Sequence, residues 1–373
     1  MTGEARRPPP PFDLVVLTGF LGAGKTTLLN QLLRDPALAD TLVLINEFGE
    51  IGLDHLLVER VEGDMLVMAS GCLCCSIRGD LVSALEDALR RRDNNRMSQF
   101  KRVIVETTGL ADPAPVLHTI MTHPYLRMRF RLQAVVTVVD ALVAEVSLDA
   151  QMEAVKQVAM ADRLVVTKTD LVMDHGALAT LKARLSRLNP GAPIFDAAAG
   201  EATGARLIEG LSYDPAARGT DAATWLAAEA VEAAQHHGHH HHDVNRHDEQ
   251  IRAVCLRYPH PVPPMAVSLF LELLRSAHGP KLLRFKGLIA LDDDPDRPLV
   301  AHGVQHVMHE PQRLTAWPDA DHTTRMVFIL RDLEPAFVEG LWKAAVGEPA
   351  VDRADRAALM NNPLAPAPGG LLA

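Results

Sequence analysis

Gly19-Phe20-Leu21-Gly22-Ala23-Gly24-Lys25-Thr26-Thr27 fits the pattern G-x-x-x-x-G-K-[ST], a loop that wraps the phosphates of a nucleotide. The apolar run Asp13–Thr18 precedes it, and the amphipathic stretch Lys25–Arg34 follows. Strand, glycine-rich loop and helix in that order form the context the pattern requires. The glycines let backbone amides and a helix N-terminus close around phosphate oxygens. Lys25 is expected to neutralise the β- and γ-phosphates, and the Thr26 hydroxyl to ligate Mg²⁺. Nucleotide contacts are thus expected at Gly19, Gly22, Ala23, Gly24, Lys25, Thr26 and Thr27.

Outward from this loop, short apolar runs alternate with helical stretches. Thr41–Ile45, Arg102–Glu106, Ala134–Val139 and Arg163–Thr167 have strand length, and Leu81–Arg91 and Gln151–Ala161 have helical period. Strands alternating with helices predict a doubly wound α/β domain with a mostly parallel sheet. Arg102–Glu106 ends in an acid and runs on through Thr107 and Thr108 to Gly109. P-loop enzymes place an acid beside Mg²⁺ and the attacking water at such a strand end, so Glu106 joins Lys25 as a candidate catalytic residue, with Gly109 as its turn. Thr167-Lys168-Thr169-Asp170 follows the last strand. An Asp there accepts two hydrogen bonds from guanine's ring N–H and exocyclic amine, a pair that adenine does not offer. The Lys168 stem would lie along the base. GTP is expected over ATP.

The alternation fades after about Tyr213. Ala222–Ala234 reads as an alanine-rich helix and leads into a tract with seven histidines between His236 and His247. Beyond it, Gln250–Tyr258, Lys281–Leu291, Leu299–Met308 and Arg325–Leu330 read as strands, and Pro263–Ala277 and Pro335–Val346 as helices. Strands that succeed one another with few helices between them predict a smaller α+β domain. The expected division is a tail at 1–11, the nucleotide domain at 12–212, a His-rich linker at 213–249, the second domain at 250–350 and a tail at 351–373.

Bulk composition narrows the function classes. A net charge of −10 with no basic run argues against nucleic-acid binding. No signal-peptide pattern opens the chain, and no apolar run reaches the ~18 residues that a membrane span needs. The expected location is the cytoplasm. Of the four cysteines, three fall at Cys72, Cys74 and Cys75. So few cysteines, so clustered, indicate metal or redox chemistry in a reducing compartment rather than a disulfide framework.

Gly71-Cys72-Leu73-Cys74-Cys75 can offer two or three thiolates to one soft ion, with a further ligand from elsewhere. In an extended loop Cys72 and Cys74 face one way and Cys75 the other. Asn46-Glu47-Phe48-Gly49-Glu50 follows the second strand, where P-loop GTPases place a nucleotide-sensing loop. Glu47 or Glu50 could contact Mg²⁺ or complete the thiolate site. The histidine tract either holds ions weakly and exchangeably or is a solvated linker.

Taken together, Gly19–Thr27, Asn46–Glu50, Gly71–Cys75, Glu106–Gly109 and Thr167–Asp170 resemble the CobW-like family of metallochaperone GTPases. Arg284-Phe285-Lys286-Gly287-Leu288 resembles a strand of that family's C-terminal domain, so the resemblance covers most of the chain. It implies slow GTP hydrolysis and binding of zinc or cobalt at the Cys-x-Cys-Cys loop. It also implies metal hand-over to a client metalloprotein, with homo-oligomers a feature of related GTPases. Zinc is the default ion, and cobalt the alternative for a cobalamin or nitrile-hydratase role. Thr167 stands where many GTPases have Asn, which predicts modest nucleotide affinity. The competing readings are a metal buffer or sensor without delivery, a P-loop ATPase or kinase with a structural metal, and a cysteine redox switch.

Overall fold

The computed structural model describes residues 10–46, 65–68, 76–208, 250–308 and 311–348. In its first half, a seven-stranded sheet is built from β1 (Phe12–Gly19), β2 (Thr41–Asn46), β3 (Met65–Met68), β4 (Arg102–Glu106), β5 (Phe130–Asp140), β6 (Arg163–Thr167) and β7 (Ile194–Asp196). The order is β3-β2-β4-β1-β5-β6-β7, and every pair is parallel. Strands buried on both faces read as unbroken apolar runs because alternate residues enter two different cores. Leu14, Leu42, Leu44, Val103, Val105, Leu164 and Val166 fill the core on one face. Val15, Leu17, Val43, Ile45, Ile104 and Val165 fill the other.

The helices of this half are α1 (Lys25–Leu33), α2 (Ser76–Asp93), α3 (Ala114–Thr122), α4 (Pro124–Arg129), α5 (Ala144–Ala150), α6 (Met152–Met160), α7 (His175–Leu188) and α8 (Gly204–Ile208). The expected strands at 102–106 and 163–167 match in both ends. β5 begins four residues earlier than the apolar run from Ala134, because its register against β1 extends back to Phe12 and Phe130.

The second half forms an antiparallel sheet of β8 (Ile251–Tyr258), β9 (Leu282–Ile289), β10 (Leu299–Val304), β11 (Val307–Met308), β12 (Gln312–Arg313) and β13 (Thr324–Arg331). The helices α9 (Pro264–His278) and α10 (Pro335–Ala345) pack on one face. Their Phe270 and Trp342 stack edge-on at 5.1 Å over Phe285 and Phe328. The single strand expected over Leu299–Met308 is in fact a hairpin. Gln305 takes φ 52, and Gly303 and Val304 turn back to pair with Met308 and Val307.

The other face of this sheet meets the first half: α6 lies against β9, α7 against β8, and α3 against β10 and β11. Along β9, Phe285 points into the helix-covered core, while Arg284 and Lys286 point at Asp162, just after α6. Among the described residues, no helix is long and apolar enough to cross a membrane.

Candidate functional site

The phosphate loop is built by contacts that tolerate only glycine at two points. Gly19 has φ 146, and a Cβ there would sit 2.3 Å from the Val138 carbonyl oxygen of β5. Gly24 caps α1 with φ 90. The Lys25 Nζ donates to the carbonyls of Gly19 at 3.0 Å and Phe20 at 3.3 Å, so the amine rests across the mouth of the loop. One residue on, the Thr26 hydroxyl donates to Glu106 Oε1 at 3.2 Å. Glu106 is buried at the end of β4. Ala23 is buried, whereas Gly22 and Thr27 are exposed.

The segment after Glu106 is held from three sides. Thr107 donates from its hydroxyl to the Thr18 hydroxyl at 2.8 Å, and from its amide to the Leu17 carbonyl at 2.9 Å. Gly109 passes so close to the phosphate loop that a Cβ would lie 2.7 Å from the Leu21 backbone. Gln157 of α6 donates to the carbonyls of Gly109 and Ala111, and neighbouring Lys156 pairs with Asp112 at 2.7 Å. The turn after Glu106 is thereby tied to a helix that also touches the second sheet. Sequence reasoning missed Gln157 and Lys156, since nothing local distinguishes them on an amphipathic helix.

Thr167 and Lys168 contact the loop, Asp170 sits on the turn that follows, and the three do different things. The Thr167 hydroxyl donates to the Ala23 carbonyl at 2.7 Å. It therefore braces the phosphate loop from behind. Lys168 adopts the left-handed region at φ 58, and its Nζ donates to the Gly22 carbonyl at 2.9 Å and to Asp140 Oδ2 at 2.6 Å. Asp170 is exposed on the 3₁₀ turn Thr169–Leu171. Asp140, which also accepts from the Leu142 amide at 2.8 Å, ends β5 as Glu106 ends β4. An acid at the carboxyl end of a buried strand was the available signal for it.

Thr167→Val is expected to leave the buried Ala23 carbonyl without this donor, costing about 1–3 kcal/mol. Thermal unfolding should show the loss, and titration with a fluorescent GTP analogue should show weaker binding. Unchanged values in both would refute the bracing role.

Glu47, Glu50, Cys72, Cys74, Cys75 and the histidine tract lie outside the described residues. Their points of departure do not: the chain leaves β2 at Asn46 and β3 at Met68, and resumes as α2 at Ser76.

A strand, a phosphate-wrapping loop and a helix-borne lysine and threonine facing a buried strand-end acid define a P-loop nucleoside triphosphatase. The chain belongs to the CobW/HypB/UreG family: the model of its nucleotide-binding domain matches residues 13–196. The cobalamin synthesis protein cobW C-terminal domain matches residues 251–346. The chain is 33% identical over 319 residues to the zinc chaperone YjiA of Escherichia coli, covering 86% of this chain and 94% of that protein. It is also 33% identical over 193 residues to the zinc-regulated GTPase metalloprotein activator 1 of Schizosaccharomyces pombe, covering 50% of this chain and 46% of that protein. The crystal structure of Zn(II)-bound YjiA GTPase superposes with a TM-score of 0.62 at 27% identity, over 90% of this chain and 99% of that one.

Proposed function

We propose that this GTPase carries a transition-metal ion, zinc before cobalt, and hands it to a client metalloprotein. Cys72, Cys74 and Cys75 would take the ion as thiolates, with Glu47 or Glu50 completing the site or facing Mg²⁺. The observation that carries this reading is the strand order β3-β2-β4-β1, all parallel. Parallel strands send their C-terminal ends to one edge of the sheet. The segments bearing those glutamates and thiols therefore leave from the edge that holds the phosphate loop and Glu106. Two relatives support the cargo, one named a zinc chaperone and the other a zinc-regulated GTPase metalloprotein activator.

Thr26 and Glu106, their oxygens 3.2 Å apart, are the hard donors that Mg²⁺ accepts. Mg²⁺ would neutralise charge between the β- and γ-phosphates. Lys25 would leave the carbonyls of Gly19 and Phe20 to pair with those phosphates. Asp170 would accept from guanine, with the Lys168 stem along the base. A γ-phosphate then bears on both metal-loop segments from one side, and its loss on hydrolysis relaxes them. The ion binds tightly with GTP and leaves for the client with GDP.

This requires a coupling free energy between the nucleotide and metal sites, and such coupling is reciprocal. Zn²⁺ and Co²⁺ affinities, measured by competition with a chromophoric chelator, should be roughly 5- to 150-fold tighter with a Mg·GTP analogue than with Mg·GDP. GTP should tighten by the same factor when metal is added. Cys74→Ala should remove the tight site. Equal metal affinity with the two nucleotides would leave a metal-buffering GTPase and eliminate delivery.

A further inference from the structure

Asp196, at the end of β7, gathers more hydrogen bonds than its position would suggest. Its Oδ1 accepts from the Thr169 hydroxyl at 2.6 Å and from the amides of Ala198 at 3.1 Å and Ala199 at 3.3 Å. Its Oδ2 faces Lys182 Nζ of α7 at 3.3 Å. The turn it opens is closed on itself. The Asp196 amide donates to Glu201 Oε2 at 2.8 Å, and the Glu201 amide returns to the Asp196 carbonyl at 3.0 Å. Gly200, at φ 74, donates to the Ala197 carbonyl at 3.1 Å. Ala198, Ala199 and Gly200 are exposed, so this turn presents backbone and methyl groups instead of long side chains.

Thr169 is the residue immediately before Asp170, on the same 3₁₀ turn. We infer that Asp196 is a positioning residue for base recognition: through Thr169 it fixes the Asp170 carboxylate, while the Ala198–Ala199 amides hold Asp196 itself in place. The inference rests on the reading of Asp170 as the guanine acceptor. Burial pushes the Asp196 carboxyl up, but the Thr169 hydroxyl, the Ala199 amide and Lys182 outweigh it and hold it below the usual range. At neutral pH the group is a carboxylate, the stronger acceptor for both partners.

The geometry matters because two hydrogen bonds to guanine require one carboxylate orientation, and a small misplacement of a binding group is costly. Inosine triphosphate (ITP) lacks the exocyclic amine and can make only one of the two. Discrimination between GTP and ITP therefore reads the Asp170 orientation, whereas general stability moves both affinities together.

The test measures GTP, ITP and ATP competing against a fluorescent GDP on the full chain with Mg²⁺. It compares wild type, Asp196→Ala, Asp196→Asn, Thr169→Val and Asp170→Asn. Wild type should prefer GTP over ITP by roughly ten- to a hundredfold, the worth of one hydrogen bond to a charged group. Asp196→Ala and Thr169→Val should bring that ratio towards unity with little change for ITP. Their double variant should be no worse than either alone, because both break one link. Asp196→Asn keeps an acceptor for Thr169 and should retain most of the discrimination. Equal weakening of all three nucleotides in Asp196→Ala and Thr169→Val would reduce Asp196 to a structural role and overturn the inference. Should Asp196→Ala fail to fold, Thr169→Val, which deletes one hydroxyl at a partly exposed site, decides the matter. An unchanged ratio in Asp170→Asn would remove the base-reading assignment itself. A collapse there beside full discrimination in Asp196→Ala would remove only the role given to Asp196.

Discussion

Lys25→Ala should reduce the kcat for GTP by roughly a hundred- to a thousandfold or more, the scale seen when a preorganised charge-stabilising donor is deleted. Phosphoryl transfer leaves little covalent chemistry to the protein, so catalysis depends on cations placed where charge develops. Lys25, the first residue of α1, holds its amine across the phosphate loop through the Gly19 and Phe20 carbonyls. The neighbouring cation is no substitute, because Lys168 is engaged by Asp140 and the Gly22 carbonyl. Removing Lys25 deletes one side chain at a partly buried site on the loop, so thermal stability should fall far less than kcat. Single-turnover kinetics at saturating Mg·GTP would separate the chemical step from weaker binding. An undiminished kcat would exclude Lys25 from the reaction.

Asp162→Ala should destabilise the whole chain by about 3–5 kcal/mol, because it removes the anion from a buried charge cluster. Asp162, Arg163, Arg284 and Lys286 are all buried. Asp162 Oδ1 accepts from Arg284 at 2.7 Å and lies 3.0 Å from Lys286, while its Oδ2 accepts from the Val135 amide at 3.0 Å. Without the carboxylate, Arg284 and Lys286 stay buried where β9 packs on α6, and the anion that both face is gone. Burial already pushes the Lys286 ammonium down, with Asp162 opposing that shift.

The same cluster fixes a pH signature. Burial raises the Asp162 carboxyl, but Arg284 and Lys286 overcome it and hold the group at about 2, below the 3.8 of an unperturbed aspartate. A carboxyl lowered by folding lends stability above its unfolded value and loses it as the pH falls through the folded one. This group contributes about 2 kcal/mol at neutral pH. The loss should run from pH 3.8 down to about 2. Urea unfolding across that range should show a steeper slope in the wild type than in Asp162→Ala. A variant as stable as the wild type would mean that the cluster is dispensable.

The legible parts of this protein are those whose causes lie close together along the chain. Gly19–Thr27 announces a phosphate loop because the tight turn, the amides and the helix start are consecutive. Glu106 was found because a buried strand ends on it. The long strands could be read as apolar runs, since a parallel sheet buries both faces. β3 and β7 escaped because four and three residues are too short to show a period. The hairpin at Gln305 escaped because its turn carries neither Asn-Gly nor Asp-Gly, the usual hairpin signal. Thr167 was identified as a departure from the Asn of many GTPases, but its contact with the Ala23 carbonyl, 144 positions away, depends on how β6 lies beside the phosphate loop.

The sequence alone determined that this is a P-loop GTPase of the CobW type with a thiol-rich segment, because motif chemistry and strand period are local properties. Only the tertiary structure decided that β2 and β3 end at the sheet edge that carries the phosphate loop. It alone placed Gln157 on the turn after Glu106, joined Asp196 to Thr169, and met Asp162 with Arg284 and Lys286. Those relations follow from strand order and sheet-on-helix packing, which bring together residues 27 positions apart at Thr169–Asp196 and 122 apart at Asp162–Arg284, and leave no periodic trace along the chain.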